Sequence, residues 1–194
     1  ACTGLDALSH AFEAFVSIGA SPITDVHALE AIRLVHDHLL ESIDEPKRIE
    51  PCSQVMLASL QAGLAFSNAS LGGVHAMSHG LGGLLDLPHG ECTALLLEHV
   101  VAFNFPEAEA RYRRIAQAMG LPALADAAEA RDALLAEIRR MREAAGVHGG
   151  LAARGVERSA ITSLTETTLR DPCLLTNPRR PYQRDIEALY GEAL

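Results

Sequence analysis

Long apolar runs are missing from this sequence. None reaches the ~18 residues that a membrane-spanning helix needs, and no charged-then-apolar leader opens the chain. We therefore expect neither a membrane span nor a secretory signal. An excess of positive charge is missing too. Sixteen Lys and Arg face 25 Asp and Glu, giving a net charge of −9. A phosphate backbone would be repelled, which argues against a nucleic-acid partner. The short basic clusters Arg111-Tyr112-Arg113-Arg114 and Arg179-Arg180 read as solvated helix faces. Paired cysteines are also lacking: Cys2, Cys52, Cys92 and Cys173 are scattered, with no C-x-x-C. That excludes a disulfide framework and a zinc ribbon, and a reducing cytoplasm fits best. β-Branched residues are few, with 18 Val and Ile against 60 Ala and Leu, a bias toward helix over strand.

What is present suits one folded domain. A length of 194 residues with 48% hydrophobic and 21% charged residues can build a core and solvate its surface. Ser21-Pro22 supplies an N-cap and a first-turn proline for a helix over 22–41, with Ile23, Val26, Ala28 or Leu29, Ile32, Val35 and Leu39 at helical spacing. Asp44-Glu45-Pro46 ends it. A helix over 53–67 aligns Met56, Leu60 and Leu64, Gly72-Gly73 breaks the pattern, and a short helix covers 74–84. The apolar run 93–103 is long enough to favour a buried helix over a strand. Further helices are expected at 107–119, 123–145, 157–170 and 183–192, with a glycine-rich loop over 146–155. The reading is a single all-α domain of eight or nine helices spanning 1–194, with no repeat or linker. Patterned sequence starts at residue 1, as though coding sequence continues upstream.

Histidine placement carries the chemistry. Asp6 and His10 are four apart in a helical segment, and His75 and His79 repeat that spacing, with His89 following Pro88 after a glycine-rich turn. Positions i and i+4 share a helix face, which suits two ligands of one ion and equally suits an ordinary side-chain pair. The segment 68–90 holds no Lys or Arg and a single acid, Asp86. Imidazoles in so uncharged a segment need partners, because a buried unpaired polar group costs roughly 1–3 kcal/mol. A cation is one such partner. His27, His36, His38 and His99 read as surface or supporting groups, His148 as a loop residue, and Cys92 as a buried inert thiol.

The stretch Thr3-Gly4-Leu5-Asp6-Ala7-Leu8-Ser9-His10-Ala11-Phe12-Glu13-Ala14 resembles the first metal-binding signature of the iron-containing (group III) alcohol dehydrogenases. The stretch Gly73-Val74-His75-Ala76-Met77-Ser78-His79-Gly80-Leu81-Gly82, continuing to Leu87-Pro88-His89-Gly90, resembles their second. Ser21 to Asp25, Ala65 to Ala69 and Asp171 to Arg179 are similar to further family segments. Ser78 and Glu98 depart from the pattern, which has Ala and Pro there.

The resemblance implies a helical metal-binding domain in which Asp6, His10, His75 and His89 ligate Fe²⁺, with Zn²⁺ a competitor. It implies that His79 relays a proton and is not a ligand. The reaction implied is oxidation of a small alcohol, or reduction of an aldehyde, with NAD(P) and a cation acting as Lewis acid; a homo-oligomer is also implied. Family members carry an α/β nucleotide-binding domain in their first half, and no phosphate-binding glycine turn after a strand occurs here. We therefore expect NAD(P) to bind only with that N-terminal domain, and the isolated chain to be inactive. Two alternatives stay open: a non-catalytic helical metal-binding or assembly domain, and a helical phosphohydrolase using His36-Asp37.

Overall fold

A computed structural model describes the backbone of residues 1–194 and every side chain except those at 84 and 85. Among the described residues there are eight α-helices and no strand: α1 (Cys2–Val16), α2 (Pro22–Asp44), α3 (Ile49–Ala69), α4 (Gly73–Leu85), α5 (His89–Ala118), α6 (Ala127–Ala144), α7 (Ile161–Leu169) and α8 (Gln183–Ala193). Three 3₁₀ segments, Leu151–Arg154, Arg158–Ala160 and Pro172–Thr176, lie in the connections. The all-α expectation and the helix number hold.

Local chemistry sets the helix ends. Ser21 and Thr24 close a capping box on α2: the Thr24 hydroxyl accepts the Ser21 N–H at 2.8 Å, and the Ser21 hydroxyl accepts the Thr24 N–H at 3.3 Å. Asp126 caps α6 by accepting the Glu129 N–H, so that helix starts four residues later than the expected 123. Residues 93–103 and 107–119, expected as two helices, form one kinked helix. Pro106 lies inside α5, and Ala108 leaves the helical region (φ −131°, ψ 27°). Proline removes one ladder bond and crowds the preceding turn, bending the helix without ending it.

The core is organised around α1, which packs against α2, α3 and α5. Leu5, Leu8, Ala11, Phe12, Phe15 and Val16 are buried there. Truncating a ring like Phe12 to Ala costs about 3–5 kcal/mol in such a setting. The aligned Met56, Leu60 and Leu64 of α3 are not its core face: Met56 is 74% exposed and Leu60 61%. The buried side of α3 is instead the row Ala58, Ala62, Ala65 and Ala69, whose small side chains let α1 and α2 approach. Ile23 and Val26 of α2 are likewise exposed. No helix among the described residues is long and apolar enough to cross a membrane.

Candidate metal centre

The start of α4 decides where its histidines go. The buried Glu13 carboxylate of α1 accepts the Val74 N–H at 2.6 Å and the His75 N–H at 3.4 Å, while Asn177 accepts the Gly73 N–H at 3.0 Å. A negative group here meets the unpaired N–H groups and positive dipole end of the helix. A Cβ on Gly72 would come within 2.7 Å of Asn177 Oδ1 and 3.0 Å of Glu13 Oε1, so only glycine admits this cap.

Glu13 also accepts a hydrogen bond from His75 Nδ1 at 2.6 Å. That leaves Nε2 of His75, a residue only 1% exposed, facing Asp6 Oδ1 at 3.7 Å with no hydrogen-bond partner among the described residues. His10 is oriented in a similar way. Its Nδ1 donates to the Asp6 carbonyl at 2.9 Å, which frees Nε2, and its ring stacks on Phe66 at 4.4 Å and lies 4.3 Å from the His75 ring. Thr93 donates to Asp6 Oδ1 at 3.2 Å. One donor atom each from Asp6, His10 and His75 lies within 4.8 Å of the other two.

His89, at the first residue of α5, stands at the rim. Its Nε2 is 3.6 Å from Asp6 Oδ1 and its ring centre is 5.3 Å from that of His75, yet its side chain is 41% exposed and it is outside the mutually close trio. His79 is one turn beyond His75, with its ring stacked 5.6 Å from that of His89. Its Nδ1 donates to Asp171 Oδ2 at 2.7 Å.

Charge in the cluster is tightly opposed. Burial raises the Asp6 carboxyl, but the His75 contact and the charges of three imidazoles outweigh it, and its pKa falls below the ordinary value. Burial, reinforced by the neighbouring His75, pushes His10 down to about 4. Burial also depresses His75, but the Asp6 and Glu13 carboxylates outweigh it and lift the ring to about 9. At 3.7 Å the Asp6 contribution is charge attraction across a gap, since that separation exceeds a hydrogen bond. Burial lowers His89, against the pull of Asp6. A buried, partnerless imidazole nitrogen aimed at a carboxylate, with a second imidazole beside it, fits a divalent cation. The mixed oxygen and nitrogen donors suit Fe²⁺ or Zn²⁺.

The sequence reading passed over Glu13, Phe66, Thr93 and Asp171. Glu13 falls three residues past His10 in the first signature-like stretch, but nothing in its spacing reveals a contact with a residue 62 positions away. The phosphohydrolase alternative loses its basis. His36 Nε2 meets Glu137 at 2.8 Å, Asp37 pairs with Arg33, and neither belongs to a cluster of three metal-capable donors among the described residues. Cys92 is fully buried, and burial pushes its thiol up to about 11, as expected for an inert group.

Comparison with known proteins places this geometry in context. The profile of the "Fe-containing alcohol dehydrogenase family, C-terminal" matches residues 1–194. The chain is 39% identical to a 1,3-propanediol dehydrogenase of Klebsiella pneumoniae over 198 aligned positions, covering 100% of this chain and 50% of that protein. It is 37% identical to an NAD-dependent methanol dehydrogenase of Bacillus methanolicus, covering 99% of this chain and 51% of that protein. The crystal structure of a 1,3-propanediol oxidoreductase superposes with a TM-score of 0.97 at 37% identity, over 100% of this chain and 51% of that one. The chain thus spans about half the length of the relatives it matches.

Proposed function

Because this chain belongs to the iron-containing alcohol dehydrogenase family, we propose that Asp6, His10, His75 and His89 hold a catalytic Fe²⁺, with Zn²⁺ able to compete. The activity proposed for the whole protein is NAD(P)-dependent oxidation of a small alcohol, or reduction of the aldehyde. The observation that carries the reading is the orphaned Nε2 of buried His75, beside Asp6 and His10. When bound, the cation supplies a Lewis acid at the substrate oxygen.

The chain's own residues do the rest. Glu13 fixes the His75 ring so that its Nε2 faces the centre, and the Asp6 carbonyl with Phe66 does the same for His10. A carboxylate behind a ligating imidazole holds its tautomer and raises its basicity. Thr93 orients Asp6. His89, at the rim with Nε2 3.6 Å from Asp6 Oδ1, would be the fourth ligand. His79 moves the proton: its Nδ1–H is held by Asp171, so Nε2 is free to take the hydroxyl proton of the alcohol and pass it to solvent. Imidazole is the side chain suited to that exchange near neutral pH.

Residues 1–194 act as the helical metal-binding domain, and NAD(P) is held by a nucleotide-binding half outside residues 1–194. A cytoplasmic location belongs to the same reading and is supported by four free cysteines. The test is metal analysis of the purified chain loaded with Fe²⁺ without oxygen. One tight equivalent is expected, lost in His75→Ala plus His89→Ala. Retention in that double variant overturns the ligand assignment, and alcohol turnover with NAD(P)⁺ by this chain alone overturns the division of labour.

A further inference from the structure

Beside the trio of Asp6, His10 and His75, one turn further along α4, one other group of metal-capable side chains draws together among the described residues: His79, Asp171 and Cys173. One donor atom from each lies within 4.8 Å of the others. His79 comes from α4, whereas Asp171 and Cys173 frame the start of the 3₁₀ segment Pro172–Thr176. The carboxylate of Asp171 is fixed at both oxygens, by His79 Nδ1 at 2.7 Å and by the Cys173 N–H at 2.8 Å. The 3₁₀ segment is tied down in turn. Thr176 donates to the Leu71 carbonyl at 2.6 Å, and Asn177 bonds Gly73 and Asn104. The three side chains are thus presented by anchored backbone, with His79 46% exposed and open to solvent.

We propose that His79, Asp171 and Cys173 form a second cation site, selective for zinc-class ions and separate from the Asp6–His10–His75 centre. Imidazole, carboxylate and thiolate are all zinc ligands, and three protein donors leave a fourth position for water. The sulfur distinguishes the two sites. The first centre offers only oxygen and nitrogen, while a thiolate draws Zn²⁺ and Co²⁺ in preference to hard cations. A tetrahedral ion about 2.0–2.3 Å from each donor spaces the donors roughly 3.3–3.7 Å apart. The 2.7 Å contact between His79 and Asp171 therefore opens by about 1 Å or less.

Filling the site exchanges protons for the ion. The Nδ1 proton of His79 passes through solvent to Nε2 of the same ring, the Sγ proton of Cys173 leaves to solvent, and no group is oxidised or reduced. Burial and the adjacent Asp171 carboxylate push the Cys173 thiol up to about 12, so the ion must displace a firmly held proton. Occupancy engages all three side chains at once. Its consequence, which rests on the proton-transfer role proposed for His79, is inhibition: coordination takes His79 away from Asp171 and pins its ring.

Cobalt titration of the metal-stripped, reduced chain tests the site without any activity assay. Two equivalents are expected to bind, one of them with a thiolate-to-cobalt charge-transfer band in the near ultraviolet. Cys173→Ser should abolish the band and one equivalent, whereas Cys2→Ser plus Cys52→Ser should keep both. His10→Ala plus His75→Ala should lose the other equivalent and keep the band. This last result separates the two readings, because loss of the first equivalent alone bears only on the catalytic centre. Should Cys173→Ser fail to fold by circular dichroism, Asp171→Asn serves instead, with at least a tenfold weaker band-forming step. A wild-type titration with no thiolate band, or a band that survives Cys173→Ser, overturns the proposal.

Discussion

Glu13 Oε2 lies 2.6 Å from His75 Nδ1, so a carboxylate buried in α1 decides which nitrogen His75 presents to Asp6. Glutamine in its place would offer an amide that both donates and accepts. Its oxygen would stay on the Val74 N–H, and its NH₂ would drive His75 into the tautomer whose proton sits on Nε2. Glu13→Gln is therefore expected to weaken cation binding by about 10–100-fold, the usual effect of losing a partner behind a ligand. Glu13→Ala goes further, stranding the N–H groups of Val74 and His75 at a cost of roughly 1–3 kcal/mol. Equilibrium dialysis with metal analysis, read beside thermal unfolding, separates the two effects.

Cation binding also feeds back on the fold. The proposed ligands come from α1, α4 and α5, so an ion that binds only when these meet would stabilise their assembly. At a free concentration 100 times Kd the gain is about 2.7 kcal/mol. For a chain of this size that raises Tm by roughly 5–11 °C. Chelation should reverse the rise. His10→Ala plus His75→Ala should lose the part of the rise that comes from this centre; an equal rise in that variant would place the stabilising ion elsewhere.

Much of this was legible in the sequence because helices announce themselves locally. Ser21-Pro22 supplies an N-cap and a first-turn proline from adjacent residues alone, and i,i+4 spacing is enough to pair Asp6 with His10. What escaped the sequence lies between elements. Residues 93–103 and 107–119 read as separate helices, but tertiary packing carries α5 through Pro106 with a kink at Ala108. Met56, Leu60 and Leu64 have the spacing of a core stripe, yet the close approach of α1 and α2 requires small residues, and the alanine row takes the buried side. The partners of the histidines, Glu13 and Asp171, lie 62 and 92 positions away along the chain. Only the packing of α1 and of the Pro172–Thr176 segment against α4 brings them in.

The contact between α2 and α6 predicts an acid-sensitive element remote from the metal ligands in sequence. Hydrogen bonding from Arg140, helped by His36 and opposed by burial, holds the Glu137 carboxyl below its ordinary pKa. A carboxyl depressed on folding contributes stability that is present above its unfolded-state pKa and disappears as pH falls through the folded-state value. Unfolding free energy measured from neutral to acid pH should therefore fall less steeply in Glu137→Gln than in the parent. Parallel curves would show that this pair contributes nothing to acid sensitivity.

Gly90 couples the helix that carries His89 to the one that carries Asp6. A Cβ there would land on the Cys2 carbonyl, 2.7 Å from its carbon, and 3.1 Å from Asp6 Cβ. The Cys2 atoms are backbone and cannot rotate aside, so α1 itself must move. Gly90→Ala is expected to cost about 1–3 kcal/mol by overpacking, and to weaken cation binding because Asp6 moves with its helix. Gly63→Ala is the matched control. It lies within α3 with nothing inside 4 Å of the added carbon, and replacing a helical glycine there should gain roughly 0.5–1 kcal/mol. Chemical denaturation of both variants, with metal affinity measured on each, decides the point. Unaltered affinity in Gly90→Ala would mean that Asp6 is not held in place through this contact.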